Sequence, residues 1–230
     1  MLIPKVIHYV WMGGNEKPSS VIKCIESWRK VLPDYKIIEW NESNFNIDES
    51  PYCKKAYENK KWAFVSDYVR LYVLLNNGGI YLDTDVELKK RFDDLLSFDL
   101  FLGKMYKTVI GTAVIGAKKG NENIKQLLNN YKSGLYDTDT ANNYHFTKFF
   151  CDKYGFDINS KKNEFDNSIL LDRFAFENPS FFYNGGYSIH HFDGSWIVKK
   201  KKTRLYIFFA YLFRKIHILF YVERFIRTNK

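Results

Sequence analysis

The chain opens on Val6-Ile7-His8-Tyr9-Val10-Trp11, a β-branched and aromatic run ended by Gly13-Gly14. Such a run predicts a buried first strand. Ser19 or Ser20 can cap a helix reaching about Val31, with Ile22, Ile25 and Trp28 on its packing side. Pro33-Asp34 turns the chain, and Lys36-Ile37-Ile38-Glu39-Trp40 reads as a second strand. Strand, helix, strand in that order implies a parallel pair joined by a right-handed crossover. Residues 54–76 carry one helical pattern, and Gly78-Gly79 stops it, because positive φ is cheap for glycine. Ile80-Tyr81-Leu82 follows as a short buried strand that runs into Asp83-Thr84-Asp85. Residues 98–102 and 109–115 are further strand candidates, and residues 121–131 and 140–154 further helices. Residues 187–191 read as a late strand, continued by Phe192-Asp193-Gly194-Ser195-Trp196. No internal repeat is visible and no linker precedes about residue 197, so the pattern predicts one α/β domain over residues 1–198.

Composition changes this picture mainly at the C-terminal end. The formal charge is +9, and ten basic residues with one acid lie in residues 199–230, so that segment holds the whole excess and the rest is neutral. The same segment is rich in Phe, Tyr, Ile and Leu, with Arg214-Lys215 interrupting the apolar run. Two readings fit. One is an amphipathic helix or helical hairpin lying in an anionic membrane interface. The other is a helix packed on the domain with a solvated basic face. A nucleic-acid partner is not expected, because the aromatics are interleaved with aliphatic residues rather than presented for stacking. Cys24, Cys53 and Cys151 are odd in number and far apart, which fits reduced core thiols in a cytosolic protein. No signal peptide is evident, and no apolar run approaches the roughly 20 residues that span a bilayer. The expected location is cytoplasmic, peripheral at the inner face of the plasma membrane.

The candidate chemistry begins with Asp83 and Asp85. Two carboxylates at the end of a buried strand are costly unless something needs them, and strand ends of open α/β sheets are where ligands bind. Along an extended strand they would share one side. Hard divalent ions such as Mn²⁺ or Mg²⁺ take one or two carboxylates plus substrate phosphates. A solvated turn is the commoner fate of two such acids, and the preceding Gly-Gly-Ile-Tyr-Leu is what sets this pair apart. Asp67 and Arg70, three apart on the preceding helix, either hold a sugar and a phosphate or form an ordinary surface ion pair. His190 and His191 either complete a metal shell or are structural, and Ser195 and Trp196 can donate to phosphate oxygens. Trp11 either contacts a base or belongs to the core.

The run from Ile3 to Trp11 with Gly13-Gly14 resembles the opening of glycosyltransferase family 32. So does Ser66-Asp67-Tyr68-Val69-Arg70-Leu71 followed by Asn77-Gly78-Gly79-Ile80-Tyr81-Leu82-Asp83-Thr84-Asp85, and the stretch Ile189 to Trp196 is similar to that family's closing motif. The family holds capsular and exopolysaccharide sugar transferases, and its DxD core also looks like the catalytic domains of the large clostridial glucosylating toxins. The resemblance implies a GT-A type, Rossmann-like nucleotide-sugar-binding fold with a mixed, mostly parallel central sheet. It implies that Asp85 ligates the metal and that Asp83 contacts ribose, sugar or metal. Asp67 and Arg70 would hold the donor sugar, Tyr81 would shape the pocket, and Val10 and Trp11 would lie beside the base. Ser195 and Trp196 would grip the diphosphate, and one of the two histidines, with a lean to His190, would sit near the metal. Two departures stand out: Thr112-Ala113 where many members have Asn-Ala, and Thr140-Ala141-Asn142 in place of a common Thr-Gly-Pro. Both bear on sugar identity and acceptor geometry.

The expected activity is therefore a metal-dependent, retaining transfer from a nucleotide-sugar, in the leading reading a UDP-sugar, to a glycan or lipid-linked glycan acceptor in surface polysaccharide synthesis. The rivals are a toxin-like transferase that glycosylates a protein, a membrane-associated binding module that has lost catalysis, and a metal-dependent phosphohydrolase. No delivery domain is recognised in these residues, which weighs against the first. The intact carboxylates weigh against the second, and the shortage of further acids for a two-metal site against the third.

Overall fold

A computed structural model describes residues 2–106, 108–157, 160, 163–177 and 186–192. The expected domain end at 198, the tail 199–230, Ser195 and Trp196 lie outside the described residues. Strands β1 (Val6–Val10), β2 (Lys36–Trp40) and β3 (Gly79–Leu82) pair in parallel with β1 in the middle. Helix α1 (Ser19–Val31) connects β1 to β2, as the strand–helix–strand pattern requires. Strand β4 (Val86–Leu88) follows β3, and β5 (Leu100–Tyr106) and β6 (Val109–Ala117) form an antiparallel hairpin. Strands β7 (Asn163–Phe165), β8 (Ser168–Leu171) and β9 (Ser188–His190) complete the set. The main sheet runs β2-β1-β3-β6-β5-β8-β7, and among the described residues β4 pairs with β9 in a small second sheet. Strand β6 lies antiparallel between β3 and β5, whereas β8 runs parallel to β5. The sheet is thus mixed, with most strands running one way.

One face of the sheet is covered by α2 (Pro51–Glu58), α3 (Trp62–Asn77), α4 (Glu122–Lys132) and α5 (Asn142–Tyr154). The other face is covered by α1, with β4 against it. Alternation along β3 sends Tyr81 to the first layer and Ile80 and Leu82 to the second. Each fully buried large side chain in these layers contributes roughly 1.5–3 kcal/mol.

Several sequence expectations need correcting. The pattern read as one helix over 54–76 is two helices. Lys60 takes a left-handed φ of 55°, and Lys61 N–H bonds the Ala56 carbonyl while Lys60 N–H bonds that of Tyr57. These are the two bonds of a Schellman stop, formed here around a lysine rather than a glycine. Helix α1 starts at Ser19 without a side-chain cap, so neither serine caps it, and Ile22 is exposed while Val21, Cys24, Ile25 and Trp28 are buried. Cys24 and Cys53 are buried cysteines outside any disulfide, but Cys151 is only partly covered. Among the described residues no helix is long and apolar enough to cross a membrane.

Two contacts set the level of the strand ends that matter below. Gly79 has φ 110°, and a Cβ there would stand 2.6 Å from the Val6 carbonyl oxygen and 2.9 Å from His8 Nε2. Glycine is therefore required where β3 presses against β1. His8 is fully buried. The Trp40 indole N–H can only donate, so His8 Nδ1 accepts it at 3.0 Å and Nε2 carries the proton, donated to the Gly78 carbonyl at 2.9 Å. Burial holds this imidazole below the usual histidine range.

On the other face, α1 grips β4 through its side chains. The indole of Trp28, 0% exposed, donates to the Val86 carbonyl at 2.7 Å, and Ser27 Oγ accepts the Leu88 N–H at 2.9 Å. Trp28→Phe would leave that carbonyl unsatisfied and open a small cavity, so a loss of about 2–4 kcal/mol is expected. Urea unfolding should show a lower midpoint at unchanged slope. A midpoint equal to that of the parent would remove Trp28 from the anchoring of β4.

Candidate metal and donor site

The site is built at the C-terminal end of β3. Asp83 N–H bonds the Ala113 carbonyl of β6 at 2.8 Å, and Val86 N–H returns to the Asp83 carbonyl at 3.1 Å. Residues 83–86 thus form a turn, and it is this turn, not alternation along an extended strand, that brings Asp83 and Asp85 together. Tyr81 Oη donates to Asp83 Oδ1 at 2.8 Å. The opposite wall comes from β9. Its pairing sets His190 across from Val86, and His191 N–H bonds the Asp85 carbonyl at 2.9 Å. His190 Nε2 lies 3.2 Å from Asp85 Oδ1, with 11% side-chain exposure for the histidine and 18% for the aspartate.

One ligand atom each from Asp83, Asp85 and His190 lies within 4.8 Å of the others. Two carboxylate oxygens and an imidazole nitrogen form a donor set that suits a divalent ion such as Mn²⁺. His191 points elsewhere: its Nε2 sits 3.1 Å from Glu87 Oε2 and its side chain is 43% exposed. Of the two adjacent histidines, only His190 joins the cluster, because successive residues of a strand face opposite sides. Burial alone opposes the charge on His190. The nearby carboxylates of Glu177 and Asp85 outweigh it and hold the free imidazole protonated well above the usual histidine range.

Behind the turn lies a buried ion network. Asp67 and Arg70 do not form a surface pair, since the residues are 7% and 3% exposed. Arg70 Nη2 is 3.0 Å from Asp67 Oδ1, 3.3 Å from Asp83 Oδ1 and 3.1 Å from Ser66 Oγ. Its Nη1 donates to the Thr112 carbonyl at 2.6 Å and its Nε to the Ser66 carbonyl at 3.2 Å. The guanidinium also stacks 4.6 Å over the ring of Tyr81. Asp67 receives the Asn142 amide at 2.5 Å. Burial pushes the Asp67 carboxyl up to about 7, against Arg70 and Asn142, which favour the anion.

Asn142 Oδ1 in turn accepts the Thr112 hydroxyl at 3.0 Å. The two departures noted in the sequence are therefore one feature: Thr112 and Asn142 touch each other and together support Asp67.

Val10 and Trp11 lie at the same edge of the sheet. The β1–β3 register pairs His8 with Tyr81, which brings Val10 level with Asp83. Val10 is buried in the helix-side core. Trp11 is partly exposed, donates its indole N–H to the Asn15 carbonyl at 2.7 Å and lies under Lys17 Nζ at 5.6 Å. The sequence reading missed Glu177, which contacts His190, and the roles of Ser66 and Asn142. Ser66 stood inside the quoted helix motif, but nothing around Glu177 distinguishes it from any other acid.

The fold is of the GT-A type, an α/β Rossmann-like arrangement. The solved structure of the PaToxG glycosyltransferase superposes with a TM-score of 0.54 at 22% identity, covering 67% of this chain and 71% of that one. The chain is 29% identical over 148 residues to inositol phosphoceramide mannosyltransferase 3 of Schizosaccharomyces pombe, a match over 63% of this chain but only 40% of that enzyme. It is 29% identical over 194 residues to an uncharacterized glycosyltransferase of Acanthamoeba polyphaga mimivirus, over 80% of this chain and 76% of the viral protein. Residues 18–102, which carry Asp67, Arg70, Asp83 and Asp85, match the family model described as the glycosyltransferase sugar-binding region containing the DXD motif.

Proposed function

We propose that this chain is a metal-assisted glycosyltransferase that moves a sugar from a nucleotide-sugar to a glycan or lipid-linked glycan, with retention of anomeric configuration. The observation that carries this is the convergence of Asp83, Asp85 and His190 at the C-terminal edge of the parallel β1–β3 pair, the edge at which open α/β sheets bind ligands. The matched family region and the glycosyltransferase relatives support the same class.

A divalent ion held by Asp83, Asp85 and His190 would supply Lewis-acid neutralisation of a diphosphate leaving group. An imidazole in the donor set favours Mn²⁺ over Mg²⁺. Arg70 acts from behind, since its N–H groups are taken up by Ser66, Thr112, Asp67 and Asp83. Its charge orients Asp67 and Asp83 and offsets the negative charge that gathers at the turn. Asp67, braced by Asn142, is the buried acceptor offered to donor-sugar hydroxyls. Tyr81 holds Asp83, and Trp11 offers an aromatic face to the base. Ser195 and Trp196 belong to the diphosphate grip in this proposal. No side chain is assigned as general base.

The donor we propose is a UDP-sugar. The acceptor is a surface glycan or its lipid-linked precursor, and the name of the S. pombe relative supports an acceptor borne on lipid. The basic, aromatic residues 199–230 would dock the enzyme at the inner face of the plasma membrane, on anionic lipid.

Slow hydrolysis of UDP-glucose, UDP-galactose, UDP-N-acetylglucosamine and GDP-mannose, with and without Mn²⁺, tests the activity. One donor should turn over only with the ion, and Asp85→Asn should lower the rate by about 100-fold or more. Failure of every donor, or equal turnover by Asp85→Asn, would sink the proposal.

Membrane docking is tested by cosedimentation with phosphatidylserine vesicles at low and high salt. The full chain should pellet at low salt, and a chain lacking residues 199–230 should stay in the supernatant. Equal pelleting of both forms would dismiss the tail as the anchor.

A further inference from the structure

We infer that Glu177 is a positioning residue of the metal-binding cluster: its buried carboxylate fixes the ring of His190 so that Nε2 is turned toward Asp85. The inference rests on the metal-site reading above. Glu177 is 3% exposed and belongs to no helix or strand. Its Oε2 is 2.7 Å from His190 Nδ1, and its backbone carbonyl accepts the His190 N–H at 2.7 Å. One residue thus holds the histidine at both main chain and ring.

The neighbours extend the clamp. Tyr187 N–H bonds the Ala175 carbonyl at 2.7 Å, and Ser188 Oγ donates to the Phe176 carbonyl at 2.7 Å. Residues 175–177 therefore form a rail along which 187–190 are laid. Strand β6 makes room for the carboxylate: a Cβ on Gly111 would stand 2.5 Å from Glu177 Oε1.

The chemistry of the ring gives the arrangement its meaning. With Nδ1–H donated to Glu177, Nε2 is the ring nitrogen turned toward the place a cation would take, and it is the nitrogen that lies 3.2 Å from Asp85. A carboxylate behind a ligating histidine both fixes the ring and makes it a stronger ligand. A surface glutamate could do neither with the same constancy, because its rotamers would wander in water.

The test measures binding of Mn²⁺ alone to the full chain by electron paramagnetic resonance, with no donor present. Wild type and Asp85→Asn together test the metal site itself. Binding lost in Asp85→Asn supports it, and a wild type that takes up no Mn²⁺ overturns the site and this inference together. Given a working site, Glu177→Ala should weaken Mn²⁺ by about 10- to 100-fold. Glu177→Gln should recover part of that loss, because its amide oxygen still accepts from Nδ1–H. Wild-type affinity in a folded Glu177→Ala protein would overturn the positioning role and leave the metal site standing. If Glu177→Ala does not fold, Glu177→Gln decides: a several-fold weakening supports the role, and unchanged affinity overturns it.

Discussion

A guanidinium cannot lose its charge inside a protein, so a buried one dictates its surroundings. Arg70 sits at 3% exposure and each of its nitrogens must find an oxygen. Ser66 supplies two from one helical turn earlier, Thr112 supplies a carbonyl from β6, and Asp67 and Asp83 supply charge. Those partners come from α3, from β6 and from the turn after β3. Satisfying one side chain therefore locks the helix layer to the sheet at the edge where the carboxylates gather. Replacing it by lysine would remove the fork and leave several of these oxygens unanswered.

The same constraint shapes the electrostatics. Asp83 faces Arg70 with one oxygen, which also accepts from Tyr81. Asp85 and His190 lie in front, with no ion pair to Arg70 among the described residues. The cluster is layered: a fixed cation behind, acids in the middle, and in front the Asp85–His190 pair, where the proposed function would seat a second, exchangeable cation. Asp67 stands to one side of that axis. It is held by Arg70 and Asn142, and Asn142 is held by Thr112. Change at either of the last two positions would be felt at Asp67.

Much of this was legible before the structure. The β-branched runs 6–10 and 36–40, the helix between them and the Gly-Gly before β3 announce themselves because local pattern and tertiary role agree. The acids were legible as a pair but not as a turn, since the bond from Val86 to Asp83 depends on where β6 and α1 hold the flanking strands. The break between α2 and α3 was hidden because a lysine occupies the left-handed position normally marked by glycine. Strands β4, β7 and β8 are three or four residues long, too short for a period to show. The choice between His190 and His191 turns on which face of β9 packs inward, and Glu177 becomes meaningful only by contact with His190. Spacing along the chain encodes neither.

The small sheet of β4 and β9 has a further consequence in polymer terms. It joins positions 104 residues apart in the chain, as the Glu87–His191 contact shows, through two three-residue strands. Closing a loop of that length costs conformational entropy that grows only as the logarithm of its length, and the burial of Val86, Leu88 and Phe176 helps to offset it. An ion gripped from both sides would act as a removable cross-link on that loop. Occupancy of the site and the pairing of β9 with β4 would then be linked equilibria, read as ligand affinity or as local order.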